Sequence, residues 1–139
     1  MKNTFGSALC LTIFGESHGA GVGAVLDGMA AGVPVDPASL AALMDKRRAR
    51  GDGLSTARVE ADEVRILSGV VNGRTTGTPI TLLIENHNTR SGDYAATAAL
   101  LRPGHADYTA YVRYRGWQDA RGGGHFSGRI TAGLVAGGG

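Results

Sequence analysis

Glycine dictates much of what this chain can become: 23 of its 139 residues are glycine, and nine of those fall in the last 24 positions. A residue without a Cβ tolerates left-handed backbone and lets another group approach closely, and inside a helix it costs roughly 1 kcal/mol relative to alanine. The glycines show no three-residue period, which excludes a collagen helix. They cluster instead, as GESHGAGVG at 15–23 and RGGG at 121–124. Both clusters read as tight turns or loops.

With 42% hydrophobic and 19% charged residues, the chain suits one domain with a sizeable core and is no disordered charged tail. No linker divides it, and no internal repeat is present. Aromatics at 6% argue against a stacking platform for single-stranded nucleic acid, and a net charge of +2 argues against duplex binding. The charge is uneven: residues 1–45 carry −3 and residues 46–139 carry +5. Twelve of the 14 basic residues are arginine, which grips phosphate and carboxylate with a rigid fork. Codon usage in a GC-rich genome explains that bias equally well, so both readings stand. No uncharged apolar run approaches the ~18–20 residues of a membrane helix. The apolar run at 8–14 has no signal cleavage site before Glu16. Cys10 is the lone cysteine, so a reducing, cytoplasmic setting and a buried structural thiol are expected.

The pattern predicts a buried strand over 8–14 and a second over 24–26. Asp36 and Pro37 then cap and start a helix with Leu40, Leu43 and Met44 on its apolar face. Lys46, Arg47, Arg48 and Arg50 crowd its last turn, and Gly51 ends it before a loop over 51–60. One strand is expected over 64–71, a hairpin turn at Asn72-Gly73, and another strand over 80–85. Tyr108, Tyr111 and Tyr114 recur at helical spacing, which reads as core packing. A glycine-weakened helix is expected over 127–136.

GESHG matches the G-x-S-x-G nucleophile elbow, but an elbow needs a following helix and an earlier oxyanion-hole loop, and neither fits here. Gly19, Gly21 and Ala24 match a dinucleotide fingerprint whose crossover helix Asp27, Gly28, Gly32 and Pro34 would interrupt. Glu16 with His18, and His105 with Asp107, have spacings too sparse for a metal site, so no metal is expected. His18 and His105 lie in tight turns and can move a proton near neutral pH. His125 follows three glycines, where backbone amides could meet an anion. Arg48, Arg58, Arg102 and Arg129 lie near turns or helix ends, and spacing alone does not say whether they converge.

These pieces have an order. GESHG at 15–19, KRR at 46–48, LSGV at 67–70, GRTTGTPI at 73–80, RPGHADY at 102–108, and RGGG followed by SGR within 121–129 resemble the chorismate synthase family. The resemblance runs from about residue 3 to the last residue. It implies an α+β fold, part of a β-α-β sandwich in which antiparallel sheets flank helices. It implies a cytoplasmic carbon–oxygen lyase of the shikimate pathway, acting on a small molecule in association with neither nucleic acid nor membrane. The reaction is a 1,4-anti elimination of phosphate from 5-enolpyruvylshikimate 3-phosphate, giving chorismate. The cofactor is reduced FMN, with NADPH as reductant where an enzyme reduces its own flavin, and the assembly is a homotetramer.

By the same resemblance His18 protonates the leaving phosphate and His105 stabilises the reduced flavin. Arg48, Arg102 and Arg129 bind the substrate's anionic groups, and His125, Phe126 and Ser127 contact the flavin. Two departures stand out. Many members carry a further arginine where this chain has Asp52-Gly53-Leu54, and Arg-Ser-Ser where it has His125-Phe126-Ser127. Members of the family are far longer, so these residues correspond to the N-terminal part of one such domain, and the 139-residue polypeptide alone is expected to be inactive.

Overall fold

A computed structural model of the chain describes residues 2–48, 61–87 and 100–139. Among these residues seven strands form: β1 (Thr4–Gly6), β2 (Cys10–Gly15), β3 (Gly21–Asp27), β4 (Val64–Ser68), β5 (Val70–Val71), β6 (Arg74–Thr75) and β7 (Ile80–Glu85). Three helices accompany them: α1 (Pro37–Arg47), α2 (Asp107–Tyr114) and α3 (Thr131–Gly138). Five strands make one sheet in the order β1-β2-β3-β7-β4, with every neighbouring pair antiparallel. The fold is α+β, as expected. Along β7 the pleat is explicit: Ile80, Leu82 and Ile84 are buried while the residues between them are half-buried. Val22, Ile80, Leu82 and Ile84 join Met44, Ile130, Ala132 and Ala136 in the core. The helices therefore cover one face of the sheet, α3 against β3 and α1 against α3.

The helix start predicted at Asp36 is present, with the Asp36 carboxylate accepting from the Ala38 N–H at 3.0 Å. Asn72 and Gly73 take φ of 51° and 72°, the paired positive values of a type I′ hairpin joining β5 to β6. Four expectations are corrected. The strand over 64–71 is broken at Gly69, whose φ of 81° turns the chain between β4 and β5. The glycine-dense turn is shorter than its composition suggests, because Gly21 and Gly23 already lie in β3. That strand runs antiparallel beside β2 and β7, and residues 21–27 are strand where a dinucleotide fingerprint needs the start of a helix, which removes the dinucleotide-fold alternative. The tyrosine stripe does lie on a helix, but it is not core: Tyr108 and Tyr111 are 66% and 52% exposed, and Ala110 is the buried residue of α2. Cys10 is half-buried, its thiol donating to the Ser7 carbonyl at 3.0 Å. Gly51, Arg50, Arg58, the 51–60 loop and Asp52-Gly53-Leu54 lie outside the described residues.

Candidate functional site

His18 sits in the turn that links β2 to β3, closed by the Gly19 N–H donating to the Glu16 carbonyl at 3.1 Å. A second turn, residues 121–124, packs directly on it. Its three glycines have φ of 58°, 89° and 53°, so the backbone stays left-handed over three consecutive residues. The Ser17 N–H donates to the Gly124 carbonyl at 3.1 Å, and His125 Nδ1 lies 2.7 Å from the Gly15 carbonyl. A Cβ on Gly122 would lie 2.2 Å from His18 Cε1 and 2.3 Å from its Nδ1. The imidazole thus rests against a backbone position that has room only for glycine.

Ser17 is 2% exposed, which is incompatible with an exposed nucleophile. Its hydroxyl oxygen lies 3.3 Å and 3.2 Å from the Arg121 and Gly122 carbonyls and 3.1 Å from His18 Nδ1. Carbonyls only accept, so the hydroxyl proton goes to one of them. With that proton donated to a carbonyl, Ser17 Oγ accepts from the Nδ1–H tautomer of His18, and in that tautomer proton exchange falls to Nε2. Asp119, close by, is held below the usual carboxylate range, first by its hydrogen bonds from the Arg121 side chain and lastly by the charge of His18.

The RPGH turn, which carries His105, brings the Arg102 guanidinium to the same glycine run. The His105 N–H donates to the Arg102 carbonyl at 3.3 Å. The Arg102 guanidinium grips Asp107 through Nε at 2.7 Å and Nη2 at 2.9 Å, and that Nη2 lies 3.9 Å from where a Cβ on Gly123 would be. Arg102 therefore pulls Asp107 down to a pKa of about 2, mainly by side-chain hydrogen bonding. His18 and Arg102 abut consecutive glycines of one turn, with His105 on the Arg102 turn. His125 and Phe126 form one wall of an adjacent cavity of about 420 Å³, with Phe14, Tyr114 and Trp117 as further aromatic walls and Glu16, Gln118 and Asp119 as polar ones. Gln118 Oε1 is buried there without a hydrogen-bond partner among the described residues.

Other predicted residues lie elsewhere. Arg48 is at the end of α1, its side chain 40% exposed and paired with Asp45 at 2.9 Å. Ser127 caps the next helical turn, its hydroxyl accepting from the Arg129 N–H at 3.2 Å. Arg129 is 8% exposed, and its guanidinium is committed to Asn86, Asp62 and the Glu85 carbonyl. Asp62, Asn86 and Asp119 escaped the sequence reading. No local motif marks them, because each acquires its role from a partner distant in the chain or, for Asp119, from the turn beside it.

Residues 9–139 match the family model described as chorismate synthase. The chain is 52% identical over 136 residues to the chorismate synthase of Desulfovibrio desulfuricans, covering 98% of this chain and 37% of that protein. It is 48% identical over 138 residues to that of Dehalococcoides mccartyi, covering 99% of this chain and 38% of that protein. For Chitinophaga pinensis the figures are 50% over 136 residues, 98% and 41%. A crystal structure of chorismate synthase superposes with a TM-score of 0.62 at 31% identity, over 92% of this chain and 31% of that one. The chain spans about two fifths of the length of the curated relatives it matches.

Proposed function

Since the chain belongs to the chorismate synthase family, we propose that it forms part of an enzyme that eliminates phosphate from 5-enolpyruvylshikimate 3-phosphate, with His18 as the acid for the departing group. The observation that carries this reading is the approach of the His18 ring and of the Arg102 guanidinium, from the turn that holds His105, to consecutive glycines of one left-handed run. In a 1,4-elimination a C–O bond to phosphate and a C–H bond break at the two ends of a C–C=C–C unit, and the double bond between them is replaced by two, giving a conjugated diene. A phosphate leaves poorly as a full anion, and a proton delivered as the bond breaks lowers that barrier. In the tautomer in which Ser17 Oγ accepts from Nδ1–H, His18 Nε2 is the delivering atom, and the carbonyls behind Ser17 support that arrangement. Arg102, its fork oriented by Asp107, brings an anion-binding guanidinium to the glycine run that backs this imidazole. Arg48 and Arg129 are the further arginines that the family resemblance assigns to substrate, and Arg129's present partners give it a supporting place behind the turn.

Reduced FMN fits the residues present. The 420 Å³ cavity has aromatic walls suited to a planar ring system and one buried acceptor, Gln118 Oε1, that no described residue satisfies. His125 and Phe126 would hold the group from one side, whereas Ser127 and His105, which the family resemblance also assigns to the flavin, are not among the residues that line this cavity. When bound, reduced FMN supplies electron density to the ring that loses phosphate. NADPH as its reductant, a homotetramer and a cytoplasmic setting belong to the same reading. Among the described residues no helix is long and apolar enough to cross a membrane.

His18→Ala and His105→Ala in the full-length enzyme should each lower kcat by roughly 10²–10⁴-fold while substrate affinity changes little. Stopped-flow turnover with reduced FMN, beside equilibrium substrate binding, measures both. Near-normal kcat in either variant removes that residue from the chemistry.

A further inference from the structure

The side chain of Asn86, immediately after β7, makes three hydrogen bonds. Nδ2 donates to the Glu16 carbonyl at 3.0 Å and to the Gly19 carbonyl at 3.0 Å, while Oδ1 accepts from Arg129 Nε at 3.0 Å. The amide's orientation is forced by its partners, since carbonyls accept and a guanidinium donates. The backbone of Asn86 adds a fourth tie, its N–H donating to the Ala20 carbonyl at 3.0 Å. The two carbonyls gripped by Nδ2 stand on either side of His18. Arg129 in turn bonds the buried Asp62, and Asp62 accepts from Arg47 of α1 at 2.5 Å. Asp62 holds this place with a left-handed φ of 51°, a conformation that aspartate tolerates better than most residues.

We propose that Asn86 is the positioning residue of the His18 turn, linking that turn through Arg129 and Asp62 to the end of α1. Ser17 and the 121–124 glycines hold the turn from one side, and Asn86 holds it from the other. A reacting imidazole displaced by about 1 Å can lose on the order of 100-fold in rate. Loss of the two Nδ2–H donors takes this tie from both carbonyls that bracket the ring and leaves the Glu16 carbonyl its bond from the Gly19 N–H. The effect on turnover rests on the reading of His18 as the acid, whereas the anchoring does not.

The test is Asn86→Asp in the full-length enzyme. It preserves the acceptor for Arg129 but sets a carboxylate oxygen against the Glu16 and Gly19 carbonyls. Hydrogen exchange by mass spectrometry should show the Ser17 and Gly19 amides exchanging at least tenfold faster, with the β3–β7 ladder unchanged. The kcat should fall roughly ten- to hundredfold with KM within about threefold. Asn86→Ala, which removes all three side-chain bonds without adding charge, gives the same two readouts if the aspartate variant does not fold. Wild-type exchange in the turn overturns the proposal, and so does faster exchange with unchanged kcat where His18→Ala abolishes turnover. Faster exchange in a background where His18→Ala keeps its turnover leaves the anchoring standing and overturns the reading of His18 as the acid.

Discussion

Gly122 is the residue on which the His18 geometry is most exposed to a single methyl group. Its φ of 58° is one that L side chains rarely adopt, and a Cβ there would occupy the space of the imidazole ring. Gly122→Ala should therefore push His18 aside and lower kcat by on the order of 100-fold. The same variant should cost about 1–3 kcal/mol of stability, from left-handed strain and overpacking together. Kinetics beside denaturant unfolding separates the two, and wild-type kcat would show that the ring does not depend on this contact. Asp107 gives a prediction in pH. Its folded pKa of about 2 lies below the ordinary 3.8, so its bond to Arg102 stabilises the fold fully above about pH 4. That contribution is lost as the pH falls from about 4 to about 2. Asp107→Asn should accordingly be less stable than the parent chain at pH 6, with the gap closing towards pH 2. A gap that stays constant across that range would mean that the Arg102 pairing adds nothing. The histidines and arginines were legible in the sequence because their side chains advertise chemistry. Asn86 and Asp62 were not, since an asparagine after a strand and an aspartate before one are ordinary until Arg129 arrives from 43 and 67 positions away.

Among the elements, α3 shows why propensity is a weak guide. Its sequence TAGLVAGG is poor in helix formers, yet the helix runs from Thr131 to Gly138. The glycines that weaken it locally let it sit backbone to backbone on the sheet. A Cβ on Gly133 would lie 2.5 Å from the Gly23 carbonyl oxygen and 2.9 Å from its carbon, both main-chain atoms that cannot swing away. Burial of Ala132 and Ala136 against β3 offsets what the glycines cost. Gly133→Val should thus destabilise the fold by about 1–3 kcal/mol, despite the substitution of a residue with better intrinsic helix propensity. Thermal unfolding measures this, and an unchanged or raised midpoint would show that α3 can lift off the sheet without cost. The cap at Asp36 and the Asn72-Gly73 hairpin were readable because each depends on its own few residues. The break at Gly69 was hidden inside an apolar run, where period and composition continue unbroken across the bend. The tyrosine spacing correctly indicated a helix, but spacing cannot say which side of a helix meets the core.

At the scale of the whole molecule, α2 and its flanks are where the described structure leaves apolar surface uncovered. Leu100 is 65% exposed, Val112 60% and Trp117 91%, alongside Tyr108 and Tyr111. Exposed groups of this size on a soluble chain mark a surface that binds something or associates. The sheet and its helical cover were largely readable from the strand pattern and the family resemblance, but this exposure was not, because hydropathy registers what is apolar and not what arrives to cover it. The relatives that match here are more than twice as long. The 139-residue polypeptide purified alone is therefore expected to show no turnover with reduced FMN under anaerobic conditions. It should bind a hydrophobic dye and run as an associating species in size-exclusion chromatography with light scattering. Turnover above background would mean that these residues suffice for the chemistry. A clean, dye-silent monomer would mean that the α2 surface is tolerated by water as it stands, and that Tyr108, Tyr111 and Trp117 are solvated side chains and not a contact surface.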